Sequence, residues 1–196
     1  MNRFGKIAVG LLALALVALA SMVRFTDAPA SSRPISKMAE GATPAEPQSG
    51  APLAIPVAGV RPDALVDSFD DARGGGTRPH HAIDILAPQG TPVFAAAAGR
   101  VEKLFDSKLG GLMVYVRAGP AFVHYYGHLA GYAPGLAEGQ SIGAGTPIGF
   151  VGATGDADPG APHLHFGVKR MAPGDGWWQG TDIDPYPLLA GNAGAR

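Results

Sequence analysis

The 196-residue sequence contains no cysteine. That absence excludes disulfide staples, a lipid-modified N-terminal cysteine and zinc held by thiolates. Any metal this chain binds must be held by His, Asp, Glu and water. The body of the chain also lacks a run of Lys or Arg, and the formal net charge is -1. Nucleic-acid binding therefore has no electrostatic support. After residue 55 no segment keeps a helical apolar period for ten residues or more, so long amphipathic helices are not expected.

Glycine and proline are abundant, 29 and 18 residues, together about a quarter of the chain. Inside a folded region this favours short strands joined by tight turns. Residues 1–26 read as an export segment. Arg3 and Lys6 precede Ile7 to Val23, which carry no charge. Ala18-Leu19-Ala20 is a small-x-small site that would permit cleavage before Ser21. The apolar run continues past that site, so an uncleaved inner-membrane anchor is the other reading. At about 1.5 Å per residue the run is short for a full span. Basic residues ahead of the apolar run send the downstream chain across the inner membrane, into the periplasm. Residues 27–52, rich in Ala, Pro, Ser, Gly and Glu, read as a disordered linker. Residues 53–190 form the one domain the length allows, and residues 191–196 a tail.

Within the domain the pattern is mainly antiparallel β. Strands are expected at Leu65–Phe69, Ala82–Leu86, Val93–Ala97 and Arg100–Phe105. A hairpin of Leu112–Arg117 and Ala121–His128 turns across Ala118-Gly119-Pro120. Short strands come next within Gln140–Ile148 and at Phe150–Gly152, and His163–Lys169 is the last core strand. The six histidines all fall between His80 and His165. On a strand His163 and His165 project from one face, roughly 6.5–7 Å apart. If residues 80–84 are extended, His80 and Asp84 also share a face. Zinc accepts His nitrogen and Asp oxygen, and a catalytic site uses three protein ligands plus water. His80, Asp84 and one of His163 and His165 would supply three. Phe122, His124, Tyr126 and His128 form a stripe on one strand face. His124 reads as packing, and His81 as a wall or supporting residue. Trp177 and Trp178 read as capping the sheet, with lining of the cleft as the other reading.

His80-x-x-x-Asp84, then Tyr126-Gly127-His128-Leu129, then His163-Leu164-His165-Phe166 resembles the ordered signature of the lysostaphin- and LytM-type zinc endopeptidases of peptidoglycan. The turn Ala87-Pro88-Gln89-Gly90-Thr91-Pro92-Val93 and the segment Gly152-Ala153-Thr154-Gly155 belong to the same likeness. The resemblance implies a two-sheet, groove-forming domain with one zinc ion. It implies His80, Asp84 and His165 as ligands, and His128 and His163 as the catalytic pair. His163 would move the proton and protonated His128 would stabilise the oxyanion. The implied substrate is the stem peptide of peptidoglycan, cut as a D,D-endopeptidase in the cell envelope. Asp156 to Pro162, and Gly110-Gly111, depart from the usual pattern in stretches expected to form groove walls.

A non-catalytic relative that binds or activates another wall hydrolase is the alternative. Such relatives typically lose ligands, and all five positions are present here. The Gly-rich strands are also similar to biotinyl/lipoyl carrier domains. Those need a modified Lys at a hairpin tip, and Ala121 to Pro162 contains none. A regulatory protein partner is left unidentified by the sequence.

Overall fold

A computed structural model describes residues 53–191. The export segment, the linker and all but Gly191 of the tail lie outside the described residues. Eleven strands carry the fold: β1 (Ala72–Arg73), β2 (Arg78–Pro79), β3 (Ile83–Leu86), β4 (Pro92–Phe94), β5 (Gly99–Ser107), β6 (Gly111–Ala118), β7 (Phe122–Tyr132), β8 (Ser141–Ile142), β9 (Pro147–Val151), β10 (His163–Arg170) and β11 (Thr181–Ile183). Among the described residues the α-helix is a single turn, Tyr186–Leu189.

All pairing is antiparallel, in two unequal sheets. The small one is the β1–β2 hairpin, turned by Gly74, Gly75 and Gly76, all at positive φ. The large one has nine strands, with β11-β10-β7-β6-β5-β8 as its main path. β10 is its hub. It pairs with β7 on one side, and with β3 and then β11 on the other. β7 likewise changes partner along its length, from β10 at residues 122–127 to β9 from Leu129 onward.

Strand alternation fixes the core. Leu164, Phe166 and Val168 of β10 are at most 1% exposed and pack with Ile83, Ile85, Val114, Val116 and Tyr126. The other face carries His163 and His165. A smaller cluster on that face joins Met113, Tyr115, Val123, Tyr125 and Met171 under Trp177. Trp177 stacks edge-on against Tyr115, so it caps the sheet as its sequence position suggests. Trp178 packs on Trp177 and stays exposed.

Tyr126 shows what the core asks of a polar group. Its ring is fully buried, and its hydroxyl accepts a hydrogen bond from the Ala96 N–H at 2.9 Å. Tyr126→Phe strands that buried N–H, so urea unfolding should show a loss of about 1–3 kcal/mol. A loss under ~0.5 kcal/mol would mean that the bond is replaced elsewhere.

Three expectations change. Leu65–Phe69 is not a strand. It is an irregular segment whose backbone supports the residues downstream of it, with Phe69 O accepting from His81 N–H. Val93–Ala97 pairs only as far as Phe94, because the register shifts there and Ala95 turns to Thr146 and Gly145. Residues 140–148 pair only at Ser141–Ile142 and from Pro147, because Thr146 N–H closes a turn on Gly143 O between them.

Candidate metal centre

His165 on β10 lies directly opposite Asp84 on β3. Residues paired across a ladder share a face, so the imidazole and the carboxylate meet. His80 arrives by a different route. The chain from 80 to 84 is not extended throughout, because His81 is left-handed (φ 58°). Ala82 consequently turns into the interior at 0% exposure and does not share the face of His80 and Asp84. The kink is held by His80 N–H to Asp71 O and His81 N–H to Phe69 O, both 2.9 Å.

Three donor atoms converge. His80 Nε2 is 2.9 Å from Asp84 Oδ1 and 3.1 Å from His165 Nδ1, and His165 Nδ1 is 3.2 Å from the same Oδ1. His80 Nδ1 donates to the Ser68 carbonyl at 2.7 Å. A carbonyl only accepts, so the proton of neutral His80 sits on Nδ1 and Nε2 presents a lone pair. Burial pushes the Asp84 carboxyl up, but the His165 and His80 rings beside it outweigh that and hold the group well below the usual carboxylate range. A ring nitrogen and an ionised carboxylate oxygen pointed at each other at 2.9 Å in a half-buried site can share a cation. Donors ~3 Å apart suit an ion bound at about 2.0–2.2 Å from each. The chemistry of the set, two imidazoles and one carboxylate, fits zinc.

Two residues missed by sequence reading buttress this triangle. Ser68 takes the His80 proton on its carbonyl, and its hydroxyl accepts the Asp84 backbone N–H at 3.1 Å. Arg73 on β1 donates from Nη2 to Asp84 Oδ2 at 2.5 Å, the oxygen turned away from the triangle. Neither has a motif signature, because both lie in short irregular or two-residue elements.

His128 and His163 stand beside the triangle. Simple alternation would put His128 on the core face with His124 and Tyr126. It escapes because the β6–β7 register shifts between Leu112 and Val114, and because His128 itself is left-handed (φ 58°). That bulge falls where β7 leaves β10 for β9. The ring turns outward, its centroid 4.9 Å from that of His163 and 5.5 Å from that of His165. Its Nδ1 donates to Thr154 O at 2.8 Å, and His163 Nδ1 donates to Ala161 O at 2.9 Å. Both neutral rings therefore keep Nε2 free to accept a proton. His163 Nε2 is 3.7 Å from Asp84 Oδ1, just outside the triangle. Burial lowers the pKa of His128, against the opposing pull of its bond to Thr154.

The site opens into a groove of about 560 Å³. Arg78 and Asp156 face each other across it and form an ion pair at 2.9 Å. His81 lies apart from the triangle, stacked on Phe69, with Nδ1 3.4 Å from Asp182. His124 is buried against Phe166.

A sequence model of peptidase family M23 matches residues 78–185, more than half of the chain. The chain belongs to peptidase family M23. The match spans all five converging residues of the M23 domain. The L-Ala–D-Glu endopeptidase of Bacillus subtilis is 38% identical over 62% of this chain and 38% of its own length. The peptidoglycan DD-endopeptidase ShyC of Vibrio cholerae is 35% identical over 47% of this chain and 20% of its own. This M23 chain thus spans well under half the length of either relative. The catalytic domain of lysostaphin from Staphylococcus simulans has the same fold, with a TM-score of 0.51 at 30% identity, covering 61% of this chain and 83% of that one.

Proposed function

We propose that this M23 chain is a zinc-dependent endopeptidase that hydrolyses the peptide cross-links of bacterial peptidoglycan. His80, Asp84 and His165 hold the ion. His128 and His163 are the catalytic pair. The observation that carries the reading is the convergence of three donor atoms on one point, with two free Nε2 atoms beside it. A fold relative that only binds the wall has no need of that pairing.

Zinc, when bound, supplies a Lewis acid and brings the pKa of a water toward ~7. The chain's own residues do the rest. Ser68 fixes the His80 tautomer, which keeps Nε2 available to the ion. His163 Nε2 accepts a proton from the attacking water and returns it to the leaving amine. His128, once protonated on Nε2, gains a donor aimed into the groove and stabilises the oxyanion. The stem peptide lies along the groove between the β1–β2 hairpin and the Asp156 to Pro162 loop.

The bond cut is the D,D cross-link, the one named for the Vibrio cholerae relative. Residues 53–190 form the catalytic domain, with residues 27–52 as the tether and residues 1–26 as signal peptide or inner-membrane anchor. The protein acts in the periplasm, where the wall is.

Metal analysis of the purified full chain should find close to one zinc per molecule. Digestion of cross-linked peptidoglycan followed by mass spectrometry should then show monomeric muropeptides replacing dimers. Release of disaccharide–L-Ala would overturn the D,D assignment and favour the bond cut by the Bacillus subtilis relative. Zinc-loaded protein that leaves every muropeptide intact would point to the non-catalytic reading.

A further inference from the structure

We propose that Arg73 is a positioning residue of the metal site: it holds Asp84 by Oδ2, so that the carboxylate offers the ion only Oδ1. The inference rests on the metal reading above. Arg73 lies outside the stretch matched by the family model, which begins at residue 78.

The geometry is specific to one carboxylate oxygen. Oδ1 contacts His80 Nε2 and His165 Nδ1, whereas Oδ2 takes the guanidinium. Nη2 is also 3.1 Å from His80 Nδ1 and 3.3 Å from His80 Nε2. A group almost equidistant from both ring nitrogens, and in the ring plane, would collide with the carbon between them. Nη2 therefore rides over the imidazole face, and the Nε2 lone pair stays directed at the triangle. One cation thus orients two of the three donors without occupying the third vertex. The other end of the guanidinium is tied to Asp71, with Nη1 3.8 Å from its carboxylate. Asp71 also accepts the His80 backbone N–H on its carbonyl, so one short segment sets both residues.

Two effects oppose each other. Fixing a ligating carboxylate by an outer partner generally raises metal affinity 10–100-fold. A fixed positive charge beside the ion lowers it. Arg73 keeps 31% of its side chain exposed, so solvent screens the repulsion, while the hydrogen bond to Oδ2 is short and direct. Positioning wins.

The test is zinc affinity of the full chain by chelator competition, for wild type, Arg73→Met and Arg73→Lys, with circular dichroism as the check on folding. Arg73→Met should bind zinc 10–100-fold more weakly, and Arg73→Lys should recover part of the loss through its single donor. Cobalt-substituted protein gives a second readout. Freed of Arg73, Asp84 can turn to offer both oxygens, so the visible cobalt bands should change in Arg73→Met. Wild-type affinity and an unchanged cobalt spectrum in Arg73→Met would overturn the proposal, and so would tighter binding, which would make Arg73 a competitor of the ion. If Arg73→Met does not fold, Arg73→Gln carries the same comparison. Wild type that binds no zinc at all would overturn the metal reading itself.

Discussion

His163→Ala is expected to keep close to one zinc and lose about 10²–10⁴-fold in peptidoglycan hydrolysis, whereas Asp84→Ala loses both metal and activity. The contrast comes from a small difference in geometry. Asp84 Oδ1 touches both ring nitrogens of the triangle, at 2.9 and 3.2 Å, so its removal leaves two imidazoles with no anionic partner. His163 Nε2 stands 3.7 Å from that oxygen and is oriented by a separate carbonyl, that of Ala161. Its loss should not disturb the triangle. Zinc content by atomic spectroscopy and release of soluble muropeptides read the two effects independently. If His163→Ala lost its zinc as fully as Asp84→Ala, His163 would be a ligand and the proton would have to move elsewhere.

The second large effect is on stability and comes from His124, which has no part in the site. Its Nδ1 is buried and finds no hydrogen-bond partner among the described residues. Burial brings its pKa down from 6.5 to about 4. A depressed histidine pKa means that the folded state prefers the neutral ring. Above pH 6.5 both states are neutral and the fold keeps its full stability. As pH falls the unfolded chain takes up the proton first, so stability declines until the folded pKa is reached. The window from pH 6.5 to about 4 is worth roughly 3 kcal/mol. His128 and His165 are lowered in the same direction, so the decisive quantity is a difference. His124→Leu should flatten the stability–pH curve by that amount relative to wild type, measured by denaturant unfolding at a series of pH values. Parallel curves for the two proteins would show that His124 is not the group that couples acid to unfolding.

His124 and His128 together mark where sequence reading succeeds and where it stops. The two look alike in the alternating run from Phe122. One is buried structure and the other faces the groove. Alternation assigned both to one face, which holds for His124 and fails for His128. A one-residue bulge reverses the facing of everything after it. Its cause is a change of pairing partner between strands distant in sequence, and no local pattern announces that. The His80 to Asp84 stretch behaves similarly. The two residues do meet, but through a left-handed kink at His81 and not through extended backbone.

The roles of Ser68, Arg73 and Thr154 were illegible for a related reason. Ser68 and Thr154 act largely through backbone carbonyls, and every residue has one. Only their placement beneath His80 and His128 gives them a role. Arg73 lies in a two-residue strand before a triple-glycine turn, where a sequence shows only a basic residue in a flexible loop.

By itself the sequence determined the inventory. With no cysteine, the available donors were imidazoles and carboxylates, and their clustering between His80 and His165 limited the metal chemistry to a few side chains. It also determined the class of fold, since glycine-broken alternation over residues 53–190 allows little but short antiparallel strands. The tertiary structure decided the rest: which atom of each ring and which oxygen of Asp84 meet in the triangle, and which histidine of the 163/165 pair joins it. Those choices depend on register between strands some eighty residues apart and on carbonyls that fix each proton. Such relations exist only once the chain has closed on itself.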